Sequence, residues 1–124
     1  MFSHVMIGTN DLPKAKAFYD AVLGTLGVPP GFVDRHRVFW RTPTGVFSVT
    51  TPIDGKPATI GTGGTVGFAC TSGEQADAWH AAGIAHGGTT CEDPPGVREG
   101  AAGKLYLAYL RDPDGNKICA LHRM

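Results

Sequence analysis

The second half of this 124-residue chain repeats the first, and a duplicated half-domain leaves few architectures open. A shift of 61 residues sets His4 on Thr65, Asp11 on Ser72, Phe18 on Trp79 and Gly27 on Gly88. A shift of 70 sets Arg41-Thr42-Pro43-Thr44-Gly45 on Arg111-Asp112-Pro113-Asp114-Gly115. Apolar strands coincide easily by chance; helix caps, helix aromatics and an R-x-P-x-G turn do not.

The repeating unit reads as strand, helix, strands. Residues 3–9 are apolar and partly β-branched, as a strand requires. Asp11 can cap a helix with Pro13 in its first turn. Phe18, Tyr19, Val22, Leu23 and Leu26 then recur at helical spacing until Gly27 ends the run. After a Val-Pro-Pro-Gly loop at 28–31, residues 36–41 and 46–51 read as strands about a turn at 42–45. In the second half, 65–70 is a strand. Ser72 and Gln75 form a capping-box pattern for a helix carrying Trp79 and Ala82, which ends near Gly87 and Gly88. A Pro-Gly-rich loop spans 94–103, and strands at 105–111 and 117–122 flank the Asp-Pro-Asp-Gly turn.

This predicts a single α+β domain over 1–124, with modules at about 1–51 and 64–124 and a linker at 52–63. One helix cannot cover both faces of a module's sheet. Two sheets side by side with helices outside leave a concave inner surface, the shape that small ligands occupy.

Charge narrows the partners. Eleven Lys and Arg balance eleven Asp and Glu, so no concentrated positive field draws nucleic acid or an anionic membrane. No apolar run is long enough to span a bilayer, and the start MFSHVMIGTND lacks a signal-peptide pattern; a cytoplasmic protein is expected. Cys70, Cys91 and Cys119 are widely spaced and form no CxxC, which disfavours a disulfide framework or a zinc ribbon. GTGGT at 61–65 lacks the GK[ST] ending and the following helix of a phosphate loop.

HVMIGTNDLPKAKAFYDAVLGTLG at 4–27 and YLRDPDGNKICAL at 109–121 resemble the opening and closing segments of the vicinal-oxygen-chelate superfamily, which groups glyoxalases, bleomycin-resistance proteins and extradiol dioxygenases. FSVTTPIDGKPATIGTG at 47–63 is similar to its glyoxalase-like branch. The resemblance implies two βαβββ modules forming a cupped mixed sheet, a homodimer, and a divalent metal held in the cup by about four side chains. Such an ion acts as a Lewis acid on two adjacent substrate oxygens.

Carried over residue by residue, that metal set is poor. His4 matches the first ligand position. Thr65 stands where the second module usually has histidine, and Cys119 where the closing strand usually has glutamate. The fourth position falls on Val49, or on Ser48 or Thr50 with a slip of one residue. A catalytic zinc site needs about three protein ligands, so a metal cofactor is disfavoured. His4 is instead the candidate catalytic or ligand-contacting imidazole. Alternation leaves His4 and Met6 toward the cup and turns Val5 and Ile7 to the helix. Thr65, Cys119, Trp40 and Tyr106 are expected to line a ligand pocket there, although a register change of one residue replaces Tyr106 by Tyr109. Arg98, in the 94–103 loop, suits a carboxylate or phosphate.

Three functions fit: a small-molecule-binding protein or enzyme whose metal set is incomplete, a metal-dependent lyase or isomerase of the lactoylglutathione lyase kind, and a structural dimer without a pocket. The first is favoured because the ligands are missing.

Overall fold

A computed structural model describes residues 1–124. Strand β1 (His4–Gly8) leads into helix α1 (Leu12–Gly24), followed by β2 (Phe32–Asp34), β3 (Arg37–Thr42) and β4 (Gly45–Thr50). The second module repeats the order with β5 (Val66–Ala69), α2 (Gly73–Ala85), β6 (Thr89–Thr90), β7 (Gly96–Gly100), β8 (Gly103–Arg111) and β9 (Lys117–Arg123). The fold is therefore α+β, built of two βαβββ-like modules.

The caps work as their residue types dictate. The Asp11 carboxylate accepts from the Lys14 N–H at 3.1 Å, and the Ser72 hydroxyl oxygen accepts from the Gln75 N–H at 3.1 Å. Each satisfies an N–H that has no partner within its helix. The return bond of the second cap reaches one residue further than a capping box predicts: the Gln75 amide oxygen accepts from the Thr71 N–H. Its amide nitrogen donates to the Thr25 carbonyl at the end of α1.

Sheet order in the first module is β1-β4-β3-β2, with β1 parallel to β4. In the second it is β5-β9-β8-β6, with β5 parallel to β9 and β7 paired to β8. The sheets are separate and open, and β1 and β5 are each an edge. One core joins the modules. Phe18, Tyr19 and Val22 of α1 and Ala76 and Trp79 of α2 pack with Val38, Trp40, Phe47 and Val49 of the first sheet and Ala108, Leu110, Ile118 and Ala120 of the second. Phe47 meets Phe68 edge-on at 5.1 Å between ring centres, which carries the core across the module boundary.

Two readings of the sequence change. The segment at 94–103 is no plain loop: β7 lies within it and forms an antiparallel hairpin with β8, Val97 opposite Tyr106 and Arg98 opposite Leu105. The repeat offset also slips. Arg41 pairs with Val46 in the first hairpin, whereas Arg111 pairs with Lys117 in the second, so the second turn holds one more residue, Asn116.

Candidate functional site

Register decides which side chains share a face, because directly opposed residues point the same way. In the first sheet Val5, Phe47 and Trp40 form one row toward the helices, and Met6, Ser48 and Phe39 form a row on the opposite, inner face. His4, Val46 and Arg41 form the next inner row. In the second sheet Gly67, Cys119 and Tyr109 form an inner row.

The same pairing settles which residues stand at the four positions to which the resemblance assigns ligands. Met6 pairs with Ser48 as Gly67 pairs with Cys119. Since Met6 and Gly67 are equivalent in the repeat, Ser48 is the counterpart of Cys119. The unshifted repeat pointed to Val49; the extra Asn116 accounts for the difference, and Val49 packs in the core, 1% exposed. The set is thus His4, Ser48, Thr65 and Cys119. Its chemistry does not fit a metal ion. Ser48 is fully buried and its hydroxyl donates to the Val5 carbonyl at 3.0 Å. Burial pushes the Cys119 thiol up to about 11, against the pull of Lys117, and no second thiol, carboxylate or imidazole stands with it to make a metal-holding group. Thr65 offers only a neutral hydroxyl. No group of three or more His, Cys, Asp or Glu side chains is placed to hold a metal.

Of the other expected pocket residues, only Trp40 lines the cleft that holds His4. Trp40 lies on the helix side of its sheet, 1% exposed, and its indole N–H donates to the Asp20 carboxylate at 3.0 Å. Tyr106 also turns to the helices: its hydroxyl donates to Asp77 at 2.8 Å and its ring lies against Gly73. Tyr109 takes the inner position instead, as the alternative register allowed. The Arg98 guanidinium donates to the Asp93 and Pro94 carbonyls and so staples its own turn.

His4 does sit at an opening. A cleft of about 590 Å³ runs between the start of β1, the 42–45 turn, the C-terminal end of α1 and strand β5. Its walls include Leu23, Leu26, Phe47 and Phe68, with His4 and Arg41 as polar members; Trp40 reaches it from the core side. The volume lies within the roughly 300–1,000 Å³ of small-molecule sites. The His4 Nδ1 is 2.8 Å from the Ser3 hydroxyl, and no other protein group bonds the ring. Main chain adds polarity. Cys70 N–H donates to Leu121 on β9, so alternation turns the N–H and C=O of Gly67 and Ala69 to the open edge of β5. At the opposite end of β1 the Gly8 carbonyl accepts from the Asn116 amide at 3.0 Å, closing what the cleft leaves open here. Sequence reasoning missed Gly67 and Phe68 as lining residues, because an edge strand is not recognisable before the sheet order is known; Arg41 was missed because its nearness to His4 depends on the β1–β4–β3 pairing.

A family model described as Glyoxalase/Bleomycin resistance protein/Dioxygenase superfamily matches residues 1–120. The chain belongs to this superfamily. It is similar, at 70% identity, to a glyoxalase/bleomycin resistance protein from Albidiferax ferrireducens T118, with a TM-score of 0.98 over 99% of both chains. A putative glyoxalase from Bacillus halodurans shares the fold at 20% identity, with a TM-score of 0.77 over 99% of this chain and 96% of that one. So does the lactoylglutathione lyase of Agrobacterium tumefaciens, at 20% identity and a TM-score of 0.68, over 98% of this chain and 92% of that one. Among curated proteins none matches. As a member of the vicinal-oxygen-chelate superfamily, the chain keeps the fold while lacking an intact metal-binding cluster. No helix is long and apolar enough to cross a membrane.

Proposed function

We propose that this protein binds a small, partly apolar molecule in the His4 cleft and does so without a metal ion. The observation that carries this is the cleft itself: a mostly apolar volume of about 590 Å³ with an imidazole at its polar end. Of the three other positions that the resemblance assigns to ligands, two offer only neutral hydroxyls and the third a single buried thiol, too few donors for a metal site. Leu23, Leu26, Phe47 and Phe68 supply the apolar walls; His4 and the open edge of β5 supply the polar contacts. His4 is the proton donor or acceptor to the bound molecule, a role suited to a group whose ordinary pKa lies near neutrality.

A thermal-shift panel of aromatic and amphipathic small molecules tests this. A binder raises the melting temperature by mass action. The expected result is a class of compounds whose shift persists in EDTA and falls in His4→Ala. A panel in which every shift requires added nickel, zinc, manganese or iron contradicts the proposal.

A further inference from the structure

A second hollow lies on the inner face of the other module and shares no lining residue with the cleft. It is formed by residues 61–65 together with Arg111 and Lys117, and none of its walls is apolar. We propose that it is a binding site for a small oxyanion, a phosphate or carboxylate group.

Four observations support this. First, Arg111 and Lys117 are directly opposed across the β8–β9 pair. Like charges so placed destabilise a sheet unless an anion lies between them or beside them. The equivalent row of the first module, His4–Val46–Arg41, has one guanidinium and no second cation, so the pair is not a requirement of the fold.

Second, the glycine-rich turn brings main-chain donors to the same place. Gly63 has φ 90, and the Gly64 N–H is used by the Gly61 carbonyl. The N–H groups of Thr62, Gly63 and Thr65 have no acceptor in the protein. Thr62, Gly63 and Thr65 all line the hollow, so these main-chain donors lie beside the two cationic side chains, as in other main-chain anion sites.

Third, a carboxylate already occupies part of this field. Glu92 pairs with the Lys117 ammonium. Glu92 is held at φ 57, in the left-handed region that a side chain of its kind rarely adopts. It stands in for the oxyanion at Lys117 and is displaced or shared when one binds. Arg111 meanwhile donates one N–H to the Gly115 carbonyl and keeps the rest of its fork available.

Fourth, size selects the ligand. The hollow measures about 140 Å³, the share of roughly five liquid waters. It takes a single oxyanion group and not a drug-sized molecule.

The test is a titration of the ¹⁵N-labelled protein with inorganic phosphate and, separately, with acetate, against chloride at equal ionic strength. Saturable amide shifts at Thr62, Gly63 and Thr65 are expected beyond the chloride control. Tighter binding of phosphate identifies a phosphoryl ligand, and equal or tighter binding of acetate a carboxylate. Arg111→Gln should weaken binding at least about tenfold, the loss of one charge-assisted contact. If that variant does not fold, Lys117→Gln carries the same expectation. Glu92→Gln removes the competing carboxylate and should tighten binding roughly two- to fivefold. Shifts no larger than with chloride, or affinity unchanged in a folded Arg111→Gln or Lys117→Gln protein, overturn the proposal.

Discussion

The Tyr19 hydroxyl donates to the Asp112 carboxylate at 2.6 Å, joining α1 of the first module to the second hairpin across 93 residues of sequence. Both groups are buried. The same carboxylate accepts from the Asp114 and Asn116 N–H groups and from the Asn116 amide, so one side chain closes the turn and ties it to the other module. Burial, then the Asp112 charge and hydrogen bond, hold the Tyr19 pKa well above its ordinary 10.0. Folding therefore favours protonated Tyr19. Its contribution is complete below pH 10.0 and is lost as pH rises through the higher folded value. Tyr19→Phe should cost about 1–3 kcal/mol near neutral pH, since Asp112 loses a buried donor. Urea unfolding checks this, and the gap between wild type and variant should close as the solution becomes strongly alkaline.

Asp20 behaves in the opposite sense. Partial burial pushes its carboxyl up, but Lys16, the Gly31 N–H and the Trp40 indole outweigh that and hold it below 3.8. The stability it adds is present above pH 3.8 and is lost as pH falls through the lower folded value. Asp20→Ala should cost about 1–3 kcal/mol at pH 7, chiefly because it orphans the buried Trp40 N–H. That difference should shrink toward pH 3 in equilibrium denaturation followed by tryptophan fluorescence.

The cysteines should react in an order set by exposure. Cys91 is half-buried, whereas Cys70 and Cys119 are buried and have raised thiol pKa values, both from desolvation. At pH 7.5 iodoacetamide should label Cys91 first. Cys70 and Cys119 should label only with unfolding, because the thiolate is the nucleophile. Peptide mass mapping over time reads this out; early labelling of Cys119 contradicts its buried place.

At Gly83 two effects compete. It sits where α2 crosses α1, and an added Cβ would strike the Leu110 side chain and come within 3.3 Å of Val22. Alanine gains about 1 kcal/mol of helix propensity over glycine. Leu110 is fully buried and cannot withdraw, so an overpacking cost of about 1–3 kcal/mol prevails. Gly83→Ala should lower the melting temperature, and adding Leu110→Val should recover part of the loss.

The duplication and both helix caps were legible in the sequence because they depend on local chemistry and on short-range periodicity. The β7 strand was not: its glycines and the preceding prolines signal a turn, and only pairing with β8 makes Gly96–Gly100 extended. The choice among Val49, Ser48 and Thr50 stayed open because a single inserted residue, Asn116, moves the register by one and with it every side chain's face. The choice between Tyr106 and Tyr109, and the side from which Trp40 approaches the cleft, stay open in the sequence for a related reason. Alternation fixes which residues share a face, and the partners Asp20 and Asp77 that draw Trp40 and Tyr106 toward the helices lie on other elements.

On the function proposed above, His4 alone remains of the family's ion-holding set. Calorimetric titration of tag-free protein with zinc, nickel and manganese tests it most directly. The expected result is no saturable one-to-one binding, with traces unchanged in His4→Ala. A stoichiometric ion bound tightly by the native protein and lost in that variant would contradict it.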